Sequence, residues 1–222
     1  MDWTALRVSL LLALATAAVL LPLGICAARL IAFREFRGKA LLEAALALPL
    51  VLPPTVLGYY LLVVMGAGSP IGQLWERITG GPLVFSFAGL LVGSVIFNIP
   101  FTLMPMQRAF ESIAPEVREA AACCGLSRWR TLWRIELPLA WPGIVSGMIM
   151  TIAHTLGEFG VVLMVGGSIP GETRTVAISI YDSVQSFDMQ AAGVMSAVLL
   201  VLCLATLATT NALARRRRNA HA

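Results

Sequence analysis

Apolar positions fall into five long runs separated by shorter polar stretches: roughly Val8–Ala28, Leu42–Met65, Leu83–Met106, Leu139–Val165 and Ala191–Ala214. A bilayer core about 30 Å thick is crossed by about 20 helical residues, so each run predicts a membrane-spanning helix. Helices are the open-chain solution in lipid, because every backbone polar group must be bonded within the segment. The pattern predicts an all-α integral membrane protein with about five spans. A sixth is possible if a re-entrant segment lies in 66–82 or 168–190. Between the third and fourth runs sits a polar island, Glu119–Pro138, EAAACCGLSRWRTLWRIELP.

Composition agrees with lipid as the solvent. Of 222 residues 58% are hydrophobic and 13% charged, against about 25% charged in soluble domains, and the mean hydropathy is +0.84. The length suits one membrane domain over residues 1–222, with a core over about 38–214. The first apolar run is followed by Arg29, Arg34, Arg37 and Lys39 rather than by a cleavage-like site, and reads as a retained span. Basic residues sort by side. Arg29, Arg34, Arg37 and Lys39, then Arg108, Arg118, Arg128, Arg130 and Arg134, then Arg215 to Arg218 make up 13 of the 16, and all fall on one side of a five-span chain. Such excess marks the cytoplasmic side. The N-terminus is therefore expected outside, with the C-terminus and the island in the cytoplasm of a cell whose inner membrane holds the chain. The closing arginine run reads as a lipid-headgroup anchor. No basic patch interleaved with exposed aromatics suggests nucleic acid.

Cys26, Cys123, Cys124 and Cys203 form no CxxC pair or Cys/His cluster, so they read as small buried or interfacial thiols. Pro49, Pro53 and Pro54 bend the second run, which predicts either a kinked packing helix or a pore-lining one able to move. Asn98, Pro100 and Pro105 say the same, less strongly, of the third. Residues 66–82 read as an outer loop anchored by Trp75. Within 166–190, Ile178, Ile180 and Tyr181 predict a short amphipathic helix lying on the outer surface.

The island has its own logic. Pro115 suits the first turn of a helix, where its missing N–H costs nothing. Glu116 and Glu119 lie near that helix's positive end. Ala120 to Ala122 make a slim surface that a partner can approach. Gly125 stops the helix and Ser127 caps a second one, on which Trp129, Leu132 and Trp133 share a face at the inner membrane interface. Pro138 is expected to break this second helix and launch the fourth span. The product is a helix–glycine–helix elbow over residues 115–138.

Glu119-Ala120-Ala121, three residues, Gly125, nine residues and Ile135-Glu136-Leu137-Pro138 resemble the EAA motif of ABC importer permeases. The resemblance implies the type I ABC importer permease fold and a short coupling helix docked in a cytoplasmic ATPase. Glu119, Ala120, Ala121, Gly125, Leu137 and Pro138 would be its coupling residues. Gly38-Lys39-Ala40-Leu41-Leu42, LPLVLPPTVLGYYLLVVMG (48–66), Leu156-Gly157-Glu158-Phe159-Gly160 and IPGETRT (169–175) are similar to the molybdate subgroup, with sulfate and tungstate permeases sharing parts. The implied partners are an ABC ATPase, a periplasmic oxyanion-binding protein and a second copy of the chain, all in or against the bilayer. No cofactor is implied, nor any catalytic or metal-binding residue: ATP hydrolysis belongs to the partner, since nothing here resembles a Gly-rich phosphate loop.

Ionisable groups inside the membrane are costly and face a cavity or each other. His154 and Glu158 stand one helical turn apart, as either a mutually satisfied pair or part of the path. The family often carries arginine at His154, so transport here is expected to depend more on pH. Pro53, Pro54, Thr55, Asn98, His154 and Glu158 are the candidate path or gate residues, with Tyr59, Ser94, Thr151 and Thr155 as further neutral donors. Two other classes are a proton-driven secondary carrier, for which no inverted repeat is seen, and a membrane-embedded enzyme, for which no residue constellation converges.

Overall fold

The computed structural model describes residues 2–220, with side chains described through Thr209; the expected role of Arg215 to Arg218 lies outside those side chains. Twelve regular segments follow one another, all helical: α1 (Trp3–Phe33), α2 (Lys39–Val51), α3 (Pro54–Met65), α4 (Pro70–Thr79), α5 (Phe87–Glu111), α6 (Pro115–Cys123), α7 (Arg128–Thr131), a π turn (Leu132–Glu136), α8 (Leu137–Gly157), α9 (Gly160–Gly166), α10 (Val176–Gln185) and α11 (Met189–Ala220). Among the described residues, four helical stretches are long and apolar enough to cross a membrane, five if α2 and α3 count as one broken span.

Helices α1, α5 and α8 form the centre. On α1 the buried positions Ala5, Val8, Leu12, Thr16, Leu20, Gly24, Ala28 and Ile31 recur every three or four residues, so one stripe packs inward. Leu11, Leu14 and Leu23 face outward. Small residues bring the backbones together: a Cβ on Gly143 would stand 2.5 Å from the Pro105 carbonyl, and one on Gly147 2.7 Å from that of Thr102. One end of this core is Ala28, Ile31, Leu103, Met106, Phe110, Ala140 and Ile144. The other lies under α10, where Asp2 caps α1 and its carboxyl meets Ser179. The polar island and the 168–190 stretch thus sit at opposite ends of the bundle.

Three expectations are corrected. The second run is two helices meeting at 110° across Leu52–Pro53, not one kinked helix. A residue before proline avoids the helical region, and both Leu52 (φ −69°, ψ 135°) and Pro53 (φ −54°, ψ 134°) precede one. The fourth run stops at Gly157 and resumes as the short α9. Residues 66–82 are no loop but hold α4, with Ser69 capping it, Pro70 in the first turn and Gly80 ending it. The helix α10 forms where expected, and its apolar face packs on the bundle: Ile178 is buried against Leu12, Leu90 and Val162, and Val176 against Ala5 and Met195. Of the four cysteines, Cys26, Cys123 and Cys124 are exposed and Cys203 is half-buried.

Candidate coupling elbow and translocation path

The elbow's first helix begins and ends on the residues that its chemistry selects. Ala114 is held extended before Pro115, which opens α6. At the far end the Gly125 N–H donates to the Ala122 carbonyl at 2.9 Å and the Leu126 N–H to the Ala121 carbonyl at 3.1 Å, a Schellman closure. That closure needs a left-handed residue, and Gly125 supplies it at φ +72°. Glu119, Ala120, Ala122 and Gly125 are exposed, whereas Ala121 is buried and Leu137 half-buried. The motif therefore presents a small-residue surface outward, with Ala121 tying it to the bundle.

The second arm differs from expectation. It does not break at Pro138. Ser127 caps α7, its Oγ accepting from the Arg130 N–H, and the chain then passes through the π turn directly into α8. The Leu137 N–H donates five residues back, to Leu132. The π turn shifts the hydrogen-bond register where Pro138, exposed in the first turn of α8, has no N–H to give. Trp129 and Trp133 remain exposed, as their shared face predicts.

The π turn also aims a side chain that spacing alone does not reveal. Glu136 is fully buried. Its Oε2 accepts from Arg29 Nε at 2.5 Å, and its Oε1 accepts from Arg29 Nη2 and Arg118 Nε, each at 3.2 Å. The Arg118 guanidinium lies 3.8 Å over the Phe33 ring, which packs edge-on against Phe110. A glutamate within the apolar IELPLAW was the available signal, but its partners lie 107 and 18 residues away.

A second polar cluster lies in the middle of the bundle. Thr16 Oγ1 donates to Ser94 Oγ at 3.1 Å, and Asn98 Nδ2 donates to the Ser94 carbonyl at 2.8 Å. Thr102 and Thr151 share a hydrogen bond of 2.6 Å, and the Thr155 hydroxyl bonds back to the Thr151 carbonyl. The Thr16–Ser94 and Thr102–Thr151 bonds tie α1 to α5 and α5 to α8, and the other two lie within single helices. His154 Nδ1 lies 3.2 Å from Asn98 Oδ1, and its ring stacks on Phe101 with centroids 3.8 Å apart. His154 and Glu158 make no pair, because α8 ends between them and Glu158 has extended backbone (φ −72°, ψ 130°). The Glu158 side chain is buried, and neither carboxyl oxygen has a hydrogen-bond partner among the described residues.

The two chain breaks meet here. A Cβ on Gly160 would stand 2.7 Å from the Pro54 side chain, and one on Gly58 2.7 Å from that of Met164, so α3 and α9 lie against each other. The structure thus brings Pro54 and Thr55 beside Gly160, two residues beyond Glu158, and brings Asn98 to His154. Pro53, Pro54, Thr55 and Tyr59 are exposed.

A helical bundle with two broken membrane segments and a glycine-closed elbow is the architecture of an ABC importer permease. The chain belongs to the family of binding-protein-dependent transport system inner membrane components, whose model matches residues 20–219. It is 48% identical over 187 residues to the molybdenum transport system permease protein ModB of Azotobacter vinelandii, covering 84% of this chain and 83% of that one. To the sulfate transport system permease protein CysW of Synechocystis it is 31% identical over 213 residues, covering 96% and 77%. The fold matches that of a bacterial alginate ABC transporter solved in complex with an alginate pentasaccharide-bound periplasmic protein, with TM-score 0.74 at 20% identity over 96% of this chain and 78% of that one.

Proposed function

We propose that this chain is the membrane-spanning subunit of an ABC importer that carries molybdate across the inner membrane into the cytoplasm. The similarity to a molybdenum permease over most of both chains carries the choice of cargo, and the sulfate relative is more distant. Residues 1–222 act as one permease domain, with the N-terminus outside and the C-terminus in the cytoplasm, as the basic residues sort. The chain translocates and does no bond chemistry itself.

The motor is a separate ATPase. It docks on the exposed face of α6, where Glu119, Ala120 and Gly125 make contact while Ala121, Leu137 and Pro138 tie that contact to the spans. A periplasmic oxyanion-binding protein delivers the cargo at the opposite end. About five spans enclose a path poorly, so two copies pair about a twofold axis. The gate forms where α3 meets α9, with Pro53, Pro54, Thr55, Asn98, His154 and Glu158 around it.

Co-purification with the ATPase subunits of the same transport system tests the docking surface. Wild type is expected to hold them, whereas Glu119→Lys and Gly125→Arg lose them while keeping their own fold. ATPase binding that survives both substitutions contradicts the assignment. Competition by sulfate or tungstate for labelled molybdate uptake tests the cargo, with stronger competition by either than by molybdate itself as the contrary result.

A further inference from the structure

Helix α6 has little that ties it to the membrane spans. Ala121 is its one buried residue among those described. Its other tie is Arg118, whose guanidinium lies on the Phe33 ring and whose Nε bonds Glu136. Glu136 in turn is bonded by Arg29 near the end of α1, and both arginines share the same carboxylate oxygen, Oε1. One fully buried carboxylate therefore joins α6, α1 and the start of α8.

We propose that Arg118, Glu136 and Arg29 form the bracket that transmits displacement of α6 to α1 and α8, with Glu136 as its positioning residue. This rests on the ATP-driven importer reading above. The guanidinium fork is planar and presents its donors in fixed directions, so movement of α6 draws the carboxylate with it instead of sliding past. Separation is opposed because the carboxylate would be left buried with a charge partner missing. The π turn that carries Glu136 lacks the regular four-residue ladder, and such turns inside α-helices recur at functional sites. A pull on Glu136 thus acts at the start of α8, inside the Arg128–Gly157 stretch, and Arg29 conveys the same pull to α1.

The test uses the full chain reconstituted in vesicles with its ATPase subunits and binding protein, measuring ATP hydrolysis and labelled molybdate uptake in the same preparation. Arg118→Gln is the main variant, because it leaves the Glu136–Arg29 pair and the apolar core in place. ATPase subunits are expected to remain bound and hydrolysis to stay within about twofold of wild type, while molybdate moved per ATP falls about tenfold. Glu136→Gln is expected to fall likewise, and Glu136→Asp to recover part of the ratio. A wild-type ratio in Arg118→Gln overturns the proposal, including when the Glu136 variants merely lower yield or thermal midpoint. If the wild-type complex itself shows no ATP-dependent uptake, the importer reading fails and the bracket with it.

Discussion

Two buried glutamates flank α8, and they are treated in opposite ways. Glu136, just before its first residue, is held by two arginines. Glu158, just after its last residue, has a buried carboxyl group with no hydrogen-bond partner among the described residues. The first stands where the elbow joins the bundle, the second where two broken segments meet. A buried ion with matched partners fixes relative positions, since removing one partner leaves an uncompensated charge. A buried polar group without a partner does the reverse: it costs free energy in the present arrangement and favours any other arrangement that supplies one. One end of the helix is thus tied to its neighbours through its carboxylate, and the other is not.

The contrast can be broken by substitution. Replacing Glu136 with leucine removes the carboxylate from between Arg29 and Arg118 and should lower stability by roughly 3–5 kcal/mol. Thermal unfolding in detergent checks this, and a midpoint equal to wild type would mean that the arginines find other partners at no cost. A smaller loss, about 1 kcal/mol, is expected for Gly125→Ala, whose side chain must enter the left-handed region. Proteolysis at the elbow reads it out, and unchanged cleavage contradicts the strain. The smallest effect belongs to Glu158→Gln, whose carboxyl group makes no hydrogen bond among the described residues and which should stay within about 1 kcal/mol of wild type. A large drop in its midpoint would show that the carboxyl group is held by something after all, and would remove the comparison.

The elbow was legible because its signals are local. Pro115, Gly125 and Ser127 each act within one turn of their own position, and the structure uses each as its chemistry predicts. The apolar runs were legible for the same reason, their length being a property of the run. What escaped depends on continuity and on distance. His154 and Glu158 share a face only if the helix runs on, and it ends at Gly157. Two consecutive prolines announced a bend, but not that both Leu52 and Pro53 would be driven extended and turn the chain through 110°. Ser69-Pro70 and Gly80 are ordinary start and stop signals for α4, and the glycines around them masked a ten-residue helix. Glu136 could not be paired from sequence, because Arg29 lies on another helix and the π turn changes which way the glutamate points.

The most direct test of the account is uptake of labelled molybdate by vesicles containing this chain, its ATPase subunits inside and the loaded binding protein outside. Uptake should require all three components and ATP, and should be unaffected by collapse of the proton gradient. Uptake by the chain alone, driven by a proton gradient and indifferent to ATP, would contradict it.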